Sequence, residues 1–127
     1  MTKPILLSIC EMGGYPDFSS LYLSAGYDTY RESSMRKAMS FIKKMRPEII
    51  VAEFNFQSDF RDRTSSLESM MSIAQRLSLT KVIVFYDKEY EHQFSRLLAR
   101  HTFYRTFAFP IPEDDLARCI QPRASDS

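Results

Sequence analysis

Short apolar runs alternate with longer amphipathic stretches along this chain of 127 residues. Five runs read as strands: "PILLSIC" (4–10), "YDTYRE" (27–32), "EIIVAEF" (48–54), "KVIVFY" (81–86) and "YRTFAF" (104–109). Three of them are continuously apolar over several residues, the pattern of strands covered on both faces. After Ser33, the residues Met35, Ala38, Met39, Ile42 and Met45 recur at helical spacing, with Arg36, Lys37, Lys43 and Lys44 mostly outside that stripe. Pro47 ends this helix and should push the residue before it toward an extended backbone.

The next helix is expected to open at Ser65-Ser66-Leu67-Glu68, a capping-box spacing, with Leu67, Met70, Met71, Ala74 and Leu77 facing inward. Tyr90, Phe94, Leu97 and Leu98 mark a fourth helix. Pro112 to Ile120 forms the last, with Glu113, Asp114 and Asp115 suiting its positive end. A first, short helix lies within "YPDFSSLYLSAG", which is poor in strong helix formers. Strand alternating with helix five times predicts an α/β fold: a parallel sheet, right-handed crossovers and helices on both faces. Residues 1–121 are expected to form one domain and 122–127 a polar tail. The segment 55–66 is long for a strand-to-helix connection, and reads as a solvated insertion or as a lid over the carboxyl ends of the strands.

Composition narrows the function classes. The hydrophobic share is 44% and the charged share 26%, an ordinary globular balance. Lys plus Arg total 17 against 16 for Asp plus Glu, and a net charge of +1 argues against a dedicated nucleic-acid partner. No stretch reaches the roughly 18 apolar residues of a membrane span, so no membrane partner is expected. The start "MTKPILLSIC" turns acidic and Gly-rich too soon for a signal peptide. Cys10 and Cys119 are far apart and lack any CxxC or Cys/His spacing, which favours a reduced, cytoplasmic protein.

Candidate chemistry is sparse. "EMGGYP" (11–16) lacks the spacing and the Lys of a phosphate-cradling loop and reads as a turn. His92 and His101 have no nucleophile at a recognisable spacing. The pointed feature is "IIVAEFNF" (49–56), a buried strand that ends on the acid Glu53. Glu11, Glu53 and Asp87 all fall at the carboxyl ends of strands, and three carboxylates there suggest a rival metal or phosphate site.

The stretch "AGYDTYRESSMRKAMSFIKKMRPEIIVAEF" resembles the middle of a response-regulator receiver domain: a Gly before the second strand, an amphipathic helix, then Pro, an acid and aliphatics running into an acid. "TKVIVFYD" resembles the fourth strand of that family, and "TFAFPIPEDDL" its fifth strand, the Pro after it and the start of its last helix. The likeness covers residues 3 to 121. It implies a flavodoxin-like five-stranded sheet of order 2-1-3-4-5 with the ligand site at the carboxyl ends of the strands. It also implies a cis Phe109–Pro110 bond.

The family's chemical positions are changed throughout. Where receivers hold Mg²⁺ with an acidic pair after strand one, this chain has Ile9 and Cys10, with Glu11 just beyond. The phosphoacceptor Asp is replaced by Glu53, the Ser or Thr ending strand four by Tyr86, and the Lys before the strand-five Pro by Phe109. Phosphoryl transfer rests on positioning and charge neutralisation, so losing metal ligands and Lys removes what stabilises the transferring group. The resemblance therefore implies a pseudo-receiver that is not an enzyme, needs no cofactor, and signals through protein contact. Its alternative is an unconventional receiver in which Glu53 accepts phosphate or joins a metal site. A third reading is a small-molecule binder walled by Phe109, Tyr86 and Tyr15. Receivers commonly meet partners, or a second copy, through helix four, strand five and helix five. Here that region offers Tyr90, Phe94, Tyr104 and Phe107, with several Arg, as candidate contacts for a protein partner or a homodimer.

Overall fold

The computed structural model of the chain describes residues 3–10, 16–54, 63–77 and 80–120, with the side chains of all of these except 63–66. The elements run β1 (Ile5–Ile9), α1 (Ser19–Ser24), β2 (Asp28–Glu32), α2 (Met35–Met45), β3 (Ile49–Glu53), α3 (Arg63–Ala74), β4 (Lys81–Asp87), a single 3-10 turn (Lys88–Tyr90), α4 (Glu91–Leu98), β5 (Arg105–Phe109) and α5 (Glu113–Cys119). All strand pairs are parallel, in the order β2-β1-β3-β4-β5. Sequence periodicity predicts the same alternation and a parallel sheet, and the resemblance implies the same strand order.

Alternation along each strand splits the core in two. Leu7, Ile9, Ile50, Ala52, Val82 and Val84 pack against buried residues of α2, α3 and α4. Leu6, Ile49, Val51, Ile83 and Phe85 pack under α1 and α5, where Tyr22, Leu116 and Ile120 close over them. All five residues of β3 are buried, as expected of the middle strand of a sheet covered on both faces.

Helix ends depart from the sequence reading in three places. Helix α2 begins as expected, with Ser34 Oγ accepting the Lys37 amide at 3.3 Å. It ends on Arg46 in the left-handed region (φ 49°), not on an extended residue. The proline after it disfavours the right-handed helical conformation, and the left-handed one also satisfies that restriction. It additionally lets the Arg46 amide close on Ile42 O at 3.0 Å, so the helix is capped as it stops. Helix α3 begins at Arg63, two residues before Ser65, which therefore lies within the first turn and not at its cap. Glu68 is used elsewhere: its Oε2 accepts from Arg100 Nη1 at 2.7 Å and lies 3.7 Å from His101 Nε2. Leu98 and Met45, read as inward-facing, are exposed instead, because each sits at the last position of its helix, past the edge of the core.

After α1 the chain turns at Gly26 with φ +100°, a conformation that L side chains rarely adopt, and enters β2 directly. The Phe109–Pro110 bond is cis, as the resemblance implies. Among the described residues, no helix is long and apolar enough to cross a membrane. The expected insertion or lid at 55–66, the turn at Gly13-Gly14 and the tail 122–127 lie outside the described residues or side chains.

Candidate functional site

The rim at the carboxyl ends of the strands is built by register. Glu53 is paired with Phe85, and Tyr86 stands one step further along β4 beside Ala108. Glu53 projects to the α1/α5 side of the sheet with Val51, and at 6% exposure it is one of two buried polar residues among those described. The other is Ser8, on the same face of β1, whose Oγ lies 3.3 Å from Cys10 Sγ. Ile9 points the other way, into the core under α2–α4. Glu11 and Tyr15 lie outside the described residues.

Arg31 joins this rim from the edge strand. It pairs with Ser8 across β1·β2, so its side chain shares the α1 face. Its Nη1 donates to Asp17 Oδ2 at 3.2 Å. A hydrogen bond with Cys10, and after it the negative charge of Asp17 and Glu53, hold the guanidinium above its ordinary pKa. Asp17 in turn accepts the amide and hydroxyl of Ser19 at the start of α1, which holds its carboxyl below the usual value, and Arg31 adds to the effect. Buried Tyr22 of α1 is pushed up chiefly by burial and next by the neighbouring Cys10 and Asp17. Ser8, Asp17, Tyr22 and Arg31 were not singled out from the sequence. The only signal for Arg31 was its place in "YDTYRE", and its face becomes evident only when β2 is registered on β1.

Tyr86 is turned away from Glu53. Its ring stacks on Phe94 at 4.6 Å between centroids and 26° between planes, and Phe94 stacks in turn on Phe103 at 5.8 Å. Burial raises the Tyr86 pKa, with a smaller contribution from Glu91. Asp87, one of the three candidate carboxylates, caps the 3-10 turn by accepting the Glu89 amide at 2.9 Å. Among the described residues, no three His, Cys, Asp or Glu side chains come together as a metal group would require. Phe109 ends β5 at 40% exposure.

The α4–β5–α5 face divides the candidate contact residues. Phe94, expected as a contact residue, is instead fully buried in the core, its ring packed against Tyr86, Phe103 and Phe54. Phe107 is half-buried against the α1/α5 core, and Tyr90 half-buried against the other. Tyr104 is exposed, beneath Lys81 Nζ at 4.9 Å from its ring centre. Leu98, not among the candidates, is more exposed still at 46%. A cleft of about 380 Å³ between β5 and α5 is lined by Tyr104, Arg105, Phe107, Asp115, Arg118 and Cys119.

No family model matches the chain, and no curated protein matches it. Solved structures do. The signal receiver domain of an HD domain-containing protein from Pseudomonas fluorescens Pf-5 superposes with a TM-score of 0.71 at 11% identity, over 98% of this chain and 97% of that one. The chemotaxis response regulator CheY4 of Vibrio cholerae gives 0.68 at 15% identity, over 94% and 98%. The signal receiver domain of a LuxO repressor protein from Vibrio parahaemolyticus gives 0.66 at 19% identity, over 94% and 88%. At such identities the likeness is one of fold: the chain has the flavodoxin-like fold of response-regulator receiver domains.

Proposed function

We propose that this chain, as one domain over residues 1–121, is an atypical receiver domain that works by protein contact in the cytoplasm without being phosphorylated. The observation that carries the reading is the make-up of the rim. Glu53 stands alone of the family's reactive positions as an acid, one methylene longer than Asp and nearly out of water. Ile9 and Cys10 offer no oxygen donor to a hard cation that seeks near-octahedral oxygen coordination, so these positions do not fit Mg²⁺. Tyr86 is committed to an aromatic stack, and Phe109 puts an apolar ring where a receiver places its cation. Incubation of the chain with a small phosphodonor and Mg²⁺ is expected to leave its intact mass unchanged. A stable phosphoryl adduct would establish the alternative, in which Glu53 or a neighbour accepts phosphate.

The working surface in this reading is the α4–β5–α5 face, which meets a second copy of the chain. Leu98, Tyr104 and Phe109 are exposed there, bordered by Arg96, Arg105 and Arg118 and by the acids Glu113, Asp114 and Asp115 of the first turn of α5. Aromatic and Arg side chains of this kind supply most interface energy, and the mixed charges suit a self-complementary contact. A Leu98→Glu, Tyr104→Glu variant is expected to weaken self-association by at least about tenfold in sedimentation equilibrium, equivalent to about 1.4 kcal/mol, with its melting curve kept. A wild-type chain that stays monomeric at high concentration removes the homodimer.

A further inference from the structure

Helix α2 carries Arg36, Lys37, Lys43 and Lys44 and no acid. At about 3.6 residues per turn these cations fall within about a third of the helix circumference, along about 12 Å, with Ser40 at their centre. All of these side chains are exposed, and among the described residues none of the cations is in an ion pair. The whole chain has a net charge of only +1, so the rest of it is net negative and positive charge is concentrated here. Two of the cations also stand where the helix itself disfavours them. Ser34 caps α2, which puts Arg36 and Lys37 in the first turn, at the positive end of the dipole. No acid three or four residues on relieves them, those positions being Met39, Ser40 and Phe41. Unmatched cations held against a local preference call for an anion from outside the chain.

The border of the stripe narrows the kind of anion. Phe41, four residues after Lys37 and three before Lys44, lies beside both. It is half-buried, and the exposed ring of Tyr30 on the edge strand β2 packs on it at 5.0 Å between ring centres. Met45, exposed at the end of α2, continues this apolar border. Cations beside aromatic and aliphatic side chains match a protein segment that carries acids and apolar anchors together. An extended polyanion is matched less well. Beyond Tyr30 it meets the exposed carboxylate of Asp28, which accepts the Tyr30 hydroxyl at 3.2 Å, and past the stripe it meets a net negative chain. We propose that the outer face of α2 docks an acidic segment of a protein partner, its carboxylates on Arg36, Lys37, Lys43 and Lys44 and its apolar side chains on Phe41, Tyr30 and Met45. This face borders β2, at the opposite edge of the sheet from β5, so the proposal does not rest on the α4–β5–α5 contact.

Fluorescence anisotropy with the full chain provides the test, the probe being a labelled helical peptide that carries Glu and Leu on adjoining stripes. Binding is expected in about 50 mM NaCl and should weaken at least about tenfold in about 200 mM. The combined Lys37→Gln, Lys43→Gln, Lys44→Gln variant should bind at least about tenfold more weakly than wild type. Tyr30→Ser should cost at least about threefold, through the lost apolar border. The Leu98→Glu, Tyr104→Glu variant should bind as wild type does. The three lysines are exposed, so their replacement should move Tm by less than about 2 °C, which separates lost binding from lost folding. A peptide with Gln in place of Glu should not bind. Absence of binding by the acidic peptide below about 1 mM, or undiminished binding by either the lysine or the Tyr30 variant, overturns the proposal. So does a DNA duplex or a phosphatidylserine vesicle held more tightly than the peptide through the same lysines, since the partner is then a nucleic acid or a membrane.

Discussion

Replacing Phe94 by alanine is expected to destabilise the fold by about 3–5 kcal/mol, the range for removing a fully buried aromatic ring. The size follows from the position. Phe94 is fully buried at the middle of a ladder of rings, 4.6 Å from Tyr86 on one side and 5.8 Å from Phe103 on the other, with Phe54 5.0 Å away. It is also one of only two buried residues of α4, the other being Leu97. Removing it frees the tip of β4 and the end of β3 from the helix that covers them. Urea titration should show a midpoint lowered in proportion, with the slope unchanged. A loss under about 1 kcal/mol would mean that the rings pack independently of one another. The same experiment separates core from docking face, because the Leu98→Glu, Tyr104→Glu variant is expected to leave the urea midpoint nearly in place.

The second large effect is alkaline unfolding. Tyr27 is buried, its hydroxyl donates to the Ile120 carbonyl at the end of α5, and burial, with smaller contributions from Glu48, Tyr104 and Cys119, pushes its pKa up to about 12. Because the folded value lies above the ordinary value of about 10, the stabilisation is complete below pH 10 and is lost as pH rises through 12. The loss from this residue is on the order of 2 kcal/mol. Tyr22, shifted upward still further by burial, adds to it in the same direction. Denaturant midpoints measured from pH 8 to 12 should therefore fall steeply above pH 10. Tyr27→Phe should flatten that fall while losing about 1–2 kcal/mol at neutral pH through the orphaned Ile120 carbonyl. A midpoint that stays level to pH 12 in the wild type would show that Tyr27 is far more accessible than its burial implies.

The strands were legible because three of them must be apolar on both faces, and the parallel sheet followed from regular alternation with helices, whereas the order of the strands came from the resemblance. Position within an element was less legible. Phe94 and Tyr104 are both aromatic and both within the region of the proposed docking face, yet one is core and the other surface. Residue type does not encode this difference; the geometry of α4 over β4 does. Leu98 failed in the opposite sense, as an apolar residue one step past the reach of the sheet. At the rim, Glu53 announced itself by ending an apolar run. Arg31, on the same face of the sheet, did not, since pairing β2 on β1 depends on contacts between residues more than twenty positions apart in the chain. Glu68 has the spacing of a local cap, yet its carboxylate accepts from Arg100 and lies 3.7 Å from His101, a tertiary placement in place of a local one.

The strand order carries a cost during synthesis on the ribosome. Once residues up to Glu53 have emerged, β2, β1 and β3 can assemble side by side, but β3 then lies at an open border until β4 arrives. That border is the strand with every residue buried in the finished molecule, and its unpaired amides and carbonyls form a template for a neighbouring nascent chain. A product truncated before Lys81 should therefore be prone to clump, whereas one truncated after β5 should not.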